Sequence, residues 1–170
     1  LGLNKDMWQY QINEFKTKYS ILTYDLFGHG RSSRSKKKPS LPIFTQQLRG
    51  LLNELELSKV VILGFSLGGM IARHFSKTYP HMVEGLVILN SPHKRSESAQ
   101  NAVRDRFLQV KEKGPSSTVS EAIKRWFTPE FDKRHQEITD RVRNWILSNE
   151  SDVYSENYHV LVTGVDEVIG

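Results

Sequence analysis

Gly64-Phe65-Ser66-Leu67-Gly68-Gly69 is the stretch on which the reading of this chain turns. It stands directly after Val60-Val61-Ile62-Leu63, a continuous apolar run of the kind carried by a strand buried on both faces. Leu67 to Tyr79 follows with helical character and is stopped by Pro80. A serine in the pattern G-x-S-x-G between a strand and a helix occupies a very tight turn, with a strained backbone and a hydroxyl that stands clear of the sheet. Side chains two residues before and after the serine are expected to collide with neighbouring backbone, which accounts for glycine at 64 and 68. The helix that follows turns its N-terminus toward the hydroxyl, and the amide of Leu67 is placed to donate to a developing oxyanion. Ser66 is therefore the candidate nucleophile. The competing reading, a chance match in a structural connection, has both flanks against it.

Working outward, the neighbouring segments alternate in period. Upstream, Phe44, Leu48, Leu51, Leu52 and Leu55 have helical spacing. Before them Ser20-Ile21-Leu22-Thr23-Tyr24-Asp25 is short and β-prone, and ends in a glycine-rich loop. Trp8, Ile12, Phe15 and Tyr19 fall on one face of a first helix. Downstream, Gly85-Leu86-Val87-Ile88-Leu89 reads as another buried strand, ended by Asn90-Ser91-Pro92. Helix and strand in alternation predict an α/β class: a doubly wound, mostly parallel sheet with right-handed crossovers and helices on both faces. Ligands of such sheets bind beyond the C-terminal ends of the strands, where Ser66 lies.

After Pro92 only helical periodicity remains, from His93 to about Leu161. Val103, Phe107 and Val110 share a face, and Gly114-Pro115 breaks that helix. Thr118-Val119-Ser120-Glu121 has the form of a capping box opening a short helix through Ile123 to Trp126 and Phe127. One further helix is expected after Pro129, with Phe131, His135, Ile138, Val142 and Trp145 or Ile146 inward. A long helical stretch placed after a sheet strand reads as an inserted lid. The expected organisation is a sheet-bearing core over residues 1–92 and a helical lid over 93–170.

Composition excludes several function classes. The chain has 170 residues, 38% hydrophobic and 25% charged, which is ordinary for a globular protein and unlike a disordered one. It has no cysteine, so disulfides, thiolate nucleophiles and cysteine-based zinc sites are excluded, and no metal site is expected. A net charge of +5 raises the question of nucleic acid. The basic residues are scattered, however: Arg31, Arg34 and Lys36 to Lys38 in one loop, Lys94 and Arg95 in another. No recognition-helix pattern or aromatic platform accompanies them, so a solvated surface is the reading and no nucleic-acid partner is expected. No apolar run approaches the roughly 20 residues that span a bilayer, and Leu1 to Asp6 shows no signal-peptide pattern. The expectation is a cytoplasmic protein without a membrane partner, whose natural N-terminus lies upstream of Leu1.

Tyr24-Asp25-Leu26-Phe27-Gly28-His29-Gly30-Arg31-Ser32 carries the second signal. Together with Ser66 and its flanks it resembles the α/β-hydrolase superfamily, whose D-x-x-G-x-G-x-S segment is matched at Asp25, Gly28, Gly30 and Ser32. The resemblance implies a structural turn here, so Asp25 is not taken as the triad acid nor His29 as its base. It also places Leu1 just after a His-Gly segment of the family, which would make the Leu1 amide the second oxyanion donor. The family's acid follows a strand after the lid, and its histidine lies near the C-terminus. Both are expected beyond residue 170. Asp166, in His159-Val160-Leu161-Val162-Thr163-Gly164-Val165-Asp166, is the alternative for the acid. Against it, Tyr154, Tyr158, Leu161 and Val165 keep helical spacing, as in the last lid helix of family members. His74, His81, His93, His135 and His159 are each read as structural.

Arg125-Trp126-Phe127-Thr128-Pro129-Glu130-Phe131 is similar to the W-F-T-P segment in the lids of 3-oxoadipate enol-lactonase-like hydrolases. The resemblance implies acyl transfer to water from a small ester, lactone or C–C carbonyl substrate through an acyl-enzyme at Ser66, with no cofactor. Trp126 then either lines an apolar substrate pocket or only anchors the lid. Serine rather than aspartate at 66 argues against halide displacement. An acyltransferase or lyase of the same fold stays open, as does a binding or sensing protein on a hydrolase scaffold with a decayed triad.

Overall fold

The computed structural model describes residues 1–165. In chain order it contains a 3₁₀ turn at Lys5–Trp8, α1 (Gln9–Phe15), α2 (Leu41–Glu54), β1 (Val60–Phe65), α3 (Leu67–Thr78), a second 3₁₀ turn at Pro80–Met82, β2 (Val83–Leu89), α4 (Glu97–Lys113), α5 (Ser116–Trp126), α6 (Pro129–Arg134), α7 (Gln136–Leu147) and α8 (Ser151–Thr163). None of these helices is long and apolar enough to cross a membrane. The described chain divides into two compact units. One holds Leu1, Ser35–Leu108 and the chain from Ser155 on; the other holds Gly2–Arg34 and Gln109–Tyr154.

In the first unit β1 and β2 form a parallel pair, with Val61 opposite Gly85 and Phe65 opposite Leu89. The link between them is α3, as the alternating pattern requires, and α3 packs against both strands while α2 packs against α3. The burial follows the helical period: Leu41, Phe44, Leu48 and Leu52 of α2, and Met70, Ile71, Ala72 and Phe75 of α3 are all buried. Ser40 caps α2 by accepting from the Ile43 amide, and Pro42 sits in the first turn where its missing N–H costs nothing. The strands are not buried on both faces as their apolar runs predict. Val61, Leu63, Leu86, Val87 and Leu89 are exposed among the described residues; α3 packs against both strands, yet the consecutive Leu86 and Val87, which point to opposite faces, are both left open.

In the second unit α7 packs against α5 and α6. Val119, Ala122 and Ile123 of α5 and Thr139, Val142 and Ile146 of α7 are buried. Four expectations need correction. Ser20 to Asp25 forms no strand: residues 21–26 have no regular structure, Ile21 and Leu22 are exposed, and the sheet is two-stranded. A β-prone segment becomes a strand only with a ladder partner, and none pairs with it among the described residues. The first helix stops at Phe15, leaving Phe15 and Tyr19 exposed rather than inward. The Thr118–Glu121 capping box caps nothing. The chain turns earlier, at Gly114 with φ +73°, and α5 starts at Ser116, so Thr118 is buried inside the helix. The helix after Pro129 is two helices, broken at His135 with φ −133° and ψ 45°. The His135 ring therefore points out, with a side-chain exposure of 47%.

Candidate active site

The turn from β1 into α3 has the geometry its glycines demand. Ser66 sits at φ +53° and ψ −117°, a region that a residue with a Cβ rarely enters. Its amide donates to the Leu89 carbonyl at 3.0 Å, which ties the turn to the C-terminal end of β2. A Cβ at 64 would lie 2.7 Å from the Gly68 carbonyl carbon and 2.8 Å from the Gly69 Cα, so only glycine fits there. The second constraint lies one residue later than expected. A Cβ at 68 meets open space, whereas a Cβ at 69 would run into Ser91, 2.6 Å from its Oγ, and would stand 3.1 Å from the Gly64 carbonyl oxygen.

Ser66 is the N-cap of α3, a position where serine ordinarily accepts a bond from the first turn. Its side chain makes no capping bond. The Gly69 and Met70 amides are satisfied by the Ser66 carbonyl at 3.0 and 3.3 Å, which leaves the Leu67 amide one position ahead at the helix N-terminus. Leu1, the other expected donor, belongs to the same compact unit as Ser66. Beyond β2, Asn90 also takes a positive φ of 43°, and Arg73 Nη2 donates to the Pro92 carbonyl. The Ser91 Oγ is buried there with no hydrogen-bond partner among the described residues. In the sequence Asn90-Ser91-Pro92 reads only as a strand end, which gives no sign of Ser91's buried position. The doubled glycine at 68 and 69 was the available clue to it.

In the second unit the turn after Tyr24 is built around Asp25, which is 8% exposed. Its carboxylate accepts from the Lys5 amide at 2.7 Å and the Arg31 amide at 3.0 Å, and its carbonyl accepts from Ser32 Oγ at 2.7 Å. Gly30, at φ +53°, is required because a Cβ there would lie 2.7 Å from Asp25 Oδ1. His29 is 3% exposed, its Nδ1 lies 3.2 Å from the Phe27 carbonyl, and its Nε2 is buried with no partner among the described residues. Burial lowers its pKa to about 4, so the ring is neutral. These groups hold one another, as the structural reading of this turn expects.

Two of the other histidines have local contacts. His74 Nδ1 shares a hydrogen bond with Thr45 Oγ1 at 2.8 Å between α2 and α3, and His159 packs edge-on against Phe107 with centroids 5.4 Å apart. His81 and His93 are exposed. Trp126, at the end of α5, is 47% exposed. The segment from His159 continues α8 to Thr163, a helix and not a strand, while Asp166 lies outside the described residues. Among the described residues no three histidine or carboxylate side chains cluster in a way that could hold a metal ion.

A parallel strand pair joined through a helix, with a strained serine at the turn into that helix, defines a nucleophile-elbow architecture. The sequence profile of the alpha/beta hydrolase fold matches residues 1–160, and the chain belongs to that family. It is similar to 3-oxoadipate enol-lactonase 2 of Acinetobacter baylyi, with 28% identity over 91% of this chain and 57% of the relative. It is also similar to the (E)-2-((N-methylformamido)methylene)succinate hydrolase of the same organism, with 27% identity over 96% of this chain and 61% of that protein. Among solved structures, a thermophilic esterase from Thermogutta terrifontis, with malate bound, superposes with a TM-score of 0.86 at 26% identity, covering 97% of this chain and 61% of the esterase. The enol-lactonase from Burkholderia xenovorans LB400 shares the fold, with a TM-score of 0.87 at 20% identity over 96% of this chain and 62% of its own. The chain thus spans about three fifths of the length of the proteins it matches.

Proposed function

We propose that this chain carries the nucleophile-bearing part of a serine hydrolase that cleaves a small ester, lactone or C–C carbonyl substrate through an acyl-enzyme at Ser66. In this reading residues 1–92 belong to the catalytic core and 93–170 to a helical lid, and polypeptide beyond residue 170 supplies the acid and histidine. The observation that carries it is the Ser66 side chain, which is held at a strained N-cap position yet makes no capping bond. Strain that serves no local hydrogen bond points to chemistry. The names of the relatives, a lactonase and an amide-bearing succinate hydrolase among them, support acyl chemistry.

The steps follow from the groups assigned. The histidine takes the proton of Ser66 as Oγ attacks the substrate carbonyl carbon. The resulting oxyanion is held by the Leu67 amide at the N-terminus of α3 and by the Leu1 amide. Collapse breaks the bond to the leaving group, which departs with the proton from the histidine. Water then attacks the acyl carbon, its proton passing to the same histidine, and the acid is released with Ser66 restored. Trp126 stands half exposed at the end of α5.

A fluorophosphonate probe tests the reading in the intact protein that contains this chain. Covalent labelling located by peptide mass to Ser66, abolished in Ser66→Ala together with at least about 10³-fold of the ester hydrolysis, is the expected result. A folded protein that neither labels at Ser66 nor hydrolyses any ester overturns it in favour of a ligand-binding scaffold.

A further inference from the structure

Ser66 holds a positive φ, and a strained residue keeps such a conformation only where its surroundings leave it no alternative. Gly64 and Gly69 make room for the turn, but room alone does not hold it. The Ser66 amide is held by its bond to the Leu89 carbonyl at 3.0 Å. Leu89 is the last residue of β2, so its carbonyl is fixed by the ladder on one side and by the course of the chain on the other.

That chain does not leave the strand as a free loop. Asn90, at φ +43°, turns it, and the Ser91 side chain then lies against Gly69. Arg73 Nη2 donates to the carbonyl of Pro92, whose ring fixes its own φ. Leu89, Ser91 and Pro92 thus meet Ser66, Gly69 and Arg73 in turn. Positions 66, 69 and 73 are spaced i, i+3 and i+7, one face of α3 at its N-terminal end. The exit of β2 is a strap laid along that face, packed at its middle and hydrogen-bonded at both ends. Arg73 is part-buried, and its Nε is buried as well. Placing a guanidinium there is costly unless it secures a neighbour, and a charged donor binds a carbonyl more strongly than a neutral one.

We infer that Arg73 is a positioning residue for the nucleophile: by holding Pro92 it closes the strap, keeps the Leu89 carbonyl on the Ser66 amide, and so maintains the elbow in its reactive conformation. The reactive part rests on the serine-hydrolase reading; the clamp itself does not. Arg73 acts through the backbone of residues 89–92 and not on the reacting atoms.

Fluorophosphonate labelling of the intact protein, followed against probe concentration, separates the labelling rate at saturation from the apparent affinity for the probe. Arg73→Met is expected to lower the saturating rate about tenfold and to leave the affinity within about twofold of the parent. Arg73→Lys, which can still donate to Pro92, recovers most of that rate. Arg49→Met is the control. It removes an arginine of α2 that stacks on Tyr79 at the other end of α3, 4.8 Å from the ring centroid, and leaves the saturating rate unchanged while the melting temperature falls. Where Arg73→Met does not fold, Arg73→Gln takes its place and ranks below Arg73→Lys.

Hydrogen exchange at the Ser66 amide gives a second readout that needs no chemistry, and it quickens at least about tenfold in the Met or Gln variant. An unaltered saturating rate, a fall matched by Arg49→Met, or Ser66 exchange that stays at the parent's value overturns the inference while Ser66 labelling in the parent stands. A parent that does not label sinks the serine-hydrolase reading instead, and the exchange rate then decides the clamp alone: faster exchange in the variant supports it and unaltered exchange overturns it.

Discussion

The chain contains two glycine-rich turns that look alike in sequence and are organised in opposite ways. Gly64 to Gly69 and Asp25 to Ser32 each offer a polar side chain amid glycines, and each holds a residue at positive φ. In the second turn the polar side chains are tied into local bonds. The Asp25 carboxylate holds the Lys5 and Arg31 amides, Ser32 Oγ donates to the Asp25 carbonyl, and Gly30 stands where a Cβ would strike the carboxylate. In the first turn the constraint is steric, and the serine at its apex makes no capping bond. A polar group that closes its own turn is architecture, whereas one forced into an unfavourable conformation with no local bond to show for it is a candidate for chemistry.

The sharpest break in that comparison comes from Gly69→Ala. Its Cβ meets the Ser91 side chain and the Gly64 carbonyl, both close to backbone that cannot yield. The first turn of α3 must shift, taking the Leu67 amide with it. The expected result is a fall of about 10–100-fold in the rate of fluorophosphonate labelling at Ser66, with a stability loss of about 1–3 kcal/mol. Ser91→Gly in the same chain removes the colliding atoms and restores much of both. A labelling rate that is unaltered in Gly69→Ala, or one that Ser91→Gly fails to restore, breaks the steric account of this turn.

Asp25→Asn tests the other side. The amide keeps one acceptor but turns an N–H₂ group toward a backbone donor, so one of the two bonds is lost and a buried amide is left unsatisfied. A loss of about 1–3 kcal/mol in urea unfolding is expected, with Ser66 labelling in the folded protein retained.

His29 gives the comparison a pH axis. Its folded pKa of about 4 lies below the ordinary 6.5 because burial disfavours the cation. Between those values the unfolded chain binds a proton that the folded chain refuses, so stability is full above about pH 6.5 and falls as the pH drops toward 4. With a folded value of about 4, the loss by pH 5 is about 2 kcal/mol. Thermal melting between pH 7 and 5 should show this slope in the parent and a flatter one in His29→Phe.

What could be read in the sequence follows the reach of each interaction. The elbow was legible because its strain is local, set by residues within a few positions of Ser66, and the strand before it and the helix after it kept their periods. The packing of Gly69 against Ser91 was not, since it joins residues brought together only by strand pairing. Ser20 to Asp25 has strand propensity, but pairing depends on a partner elsewhere, and the segment stays irregular. The Thr118 capping box failed for a related reason. Gly114 and Pro115 had already turned the chain, with Ser117 Oγ donating to the Gly114 carbonyl at 2.7 Å, so the helix began before the cap was reached. His135 interrupts a run whose periodicity reads continuously through it, and propensity alone gives no sign of the break.

Gly68 gives the smallest expected effect and discriminates most finely. The pattern G-x-S-x-G invites the view that both outer glycines are sterically required, and the geometry separates them. A Cβ at 64 strikes backbone, while one at 68 meets open space within α3. Glycine inside a helix costs roughly 0.5–1 kcal/mol relative to alanine through backbone entropy. Gly68→Ala is therefore expected to raise stability by up to that amount and to leave Ser66 labelling within about twofold of the parent. A stability loss comparable to that of Gly69→Ala would mean that a contact at 68 forms during folding or turnover which the resting turn does not contain. The distinction between the two glycines would then belong to the dynamics of the elbow rather than to its static packing.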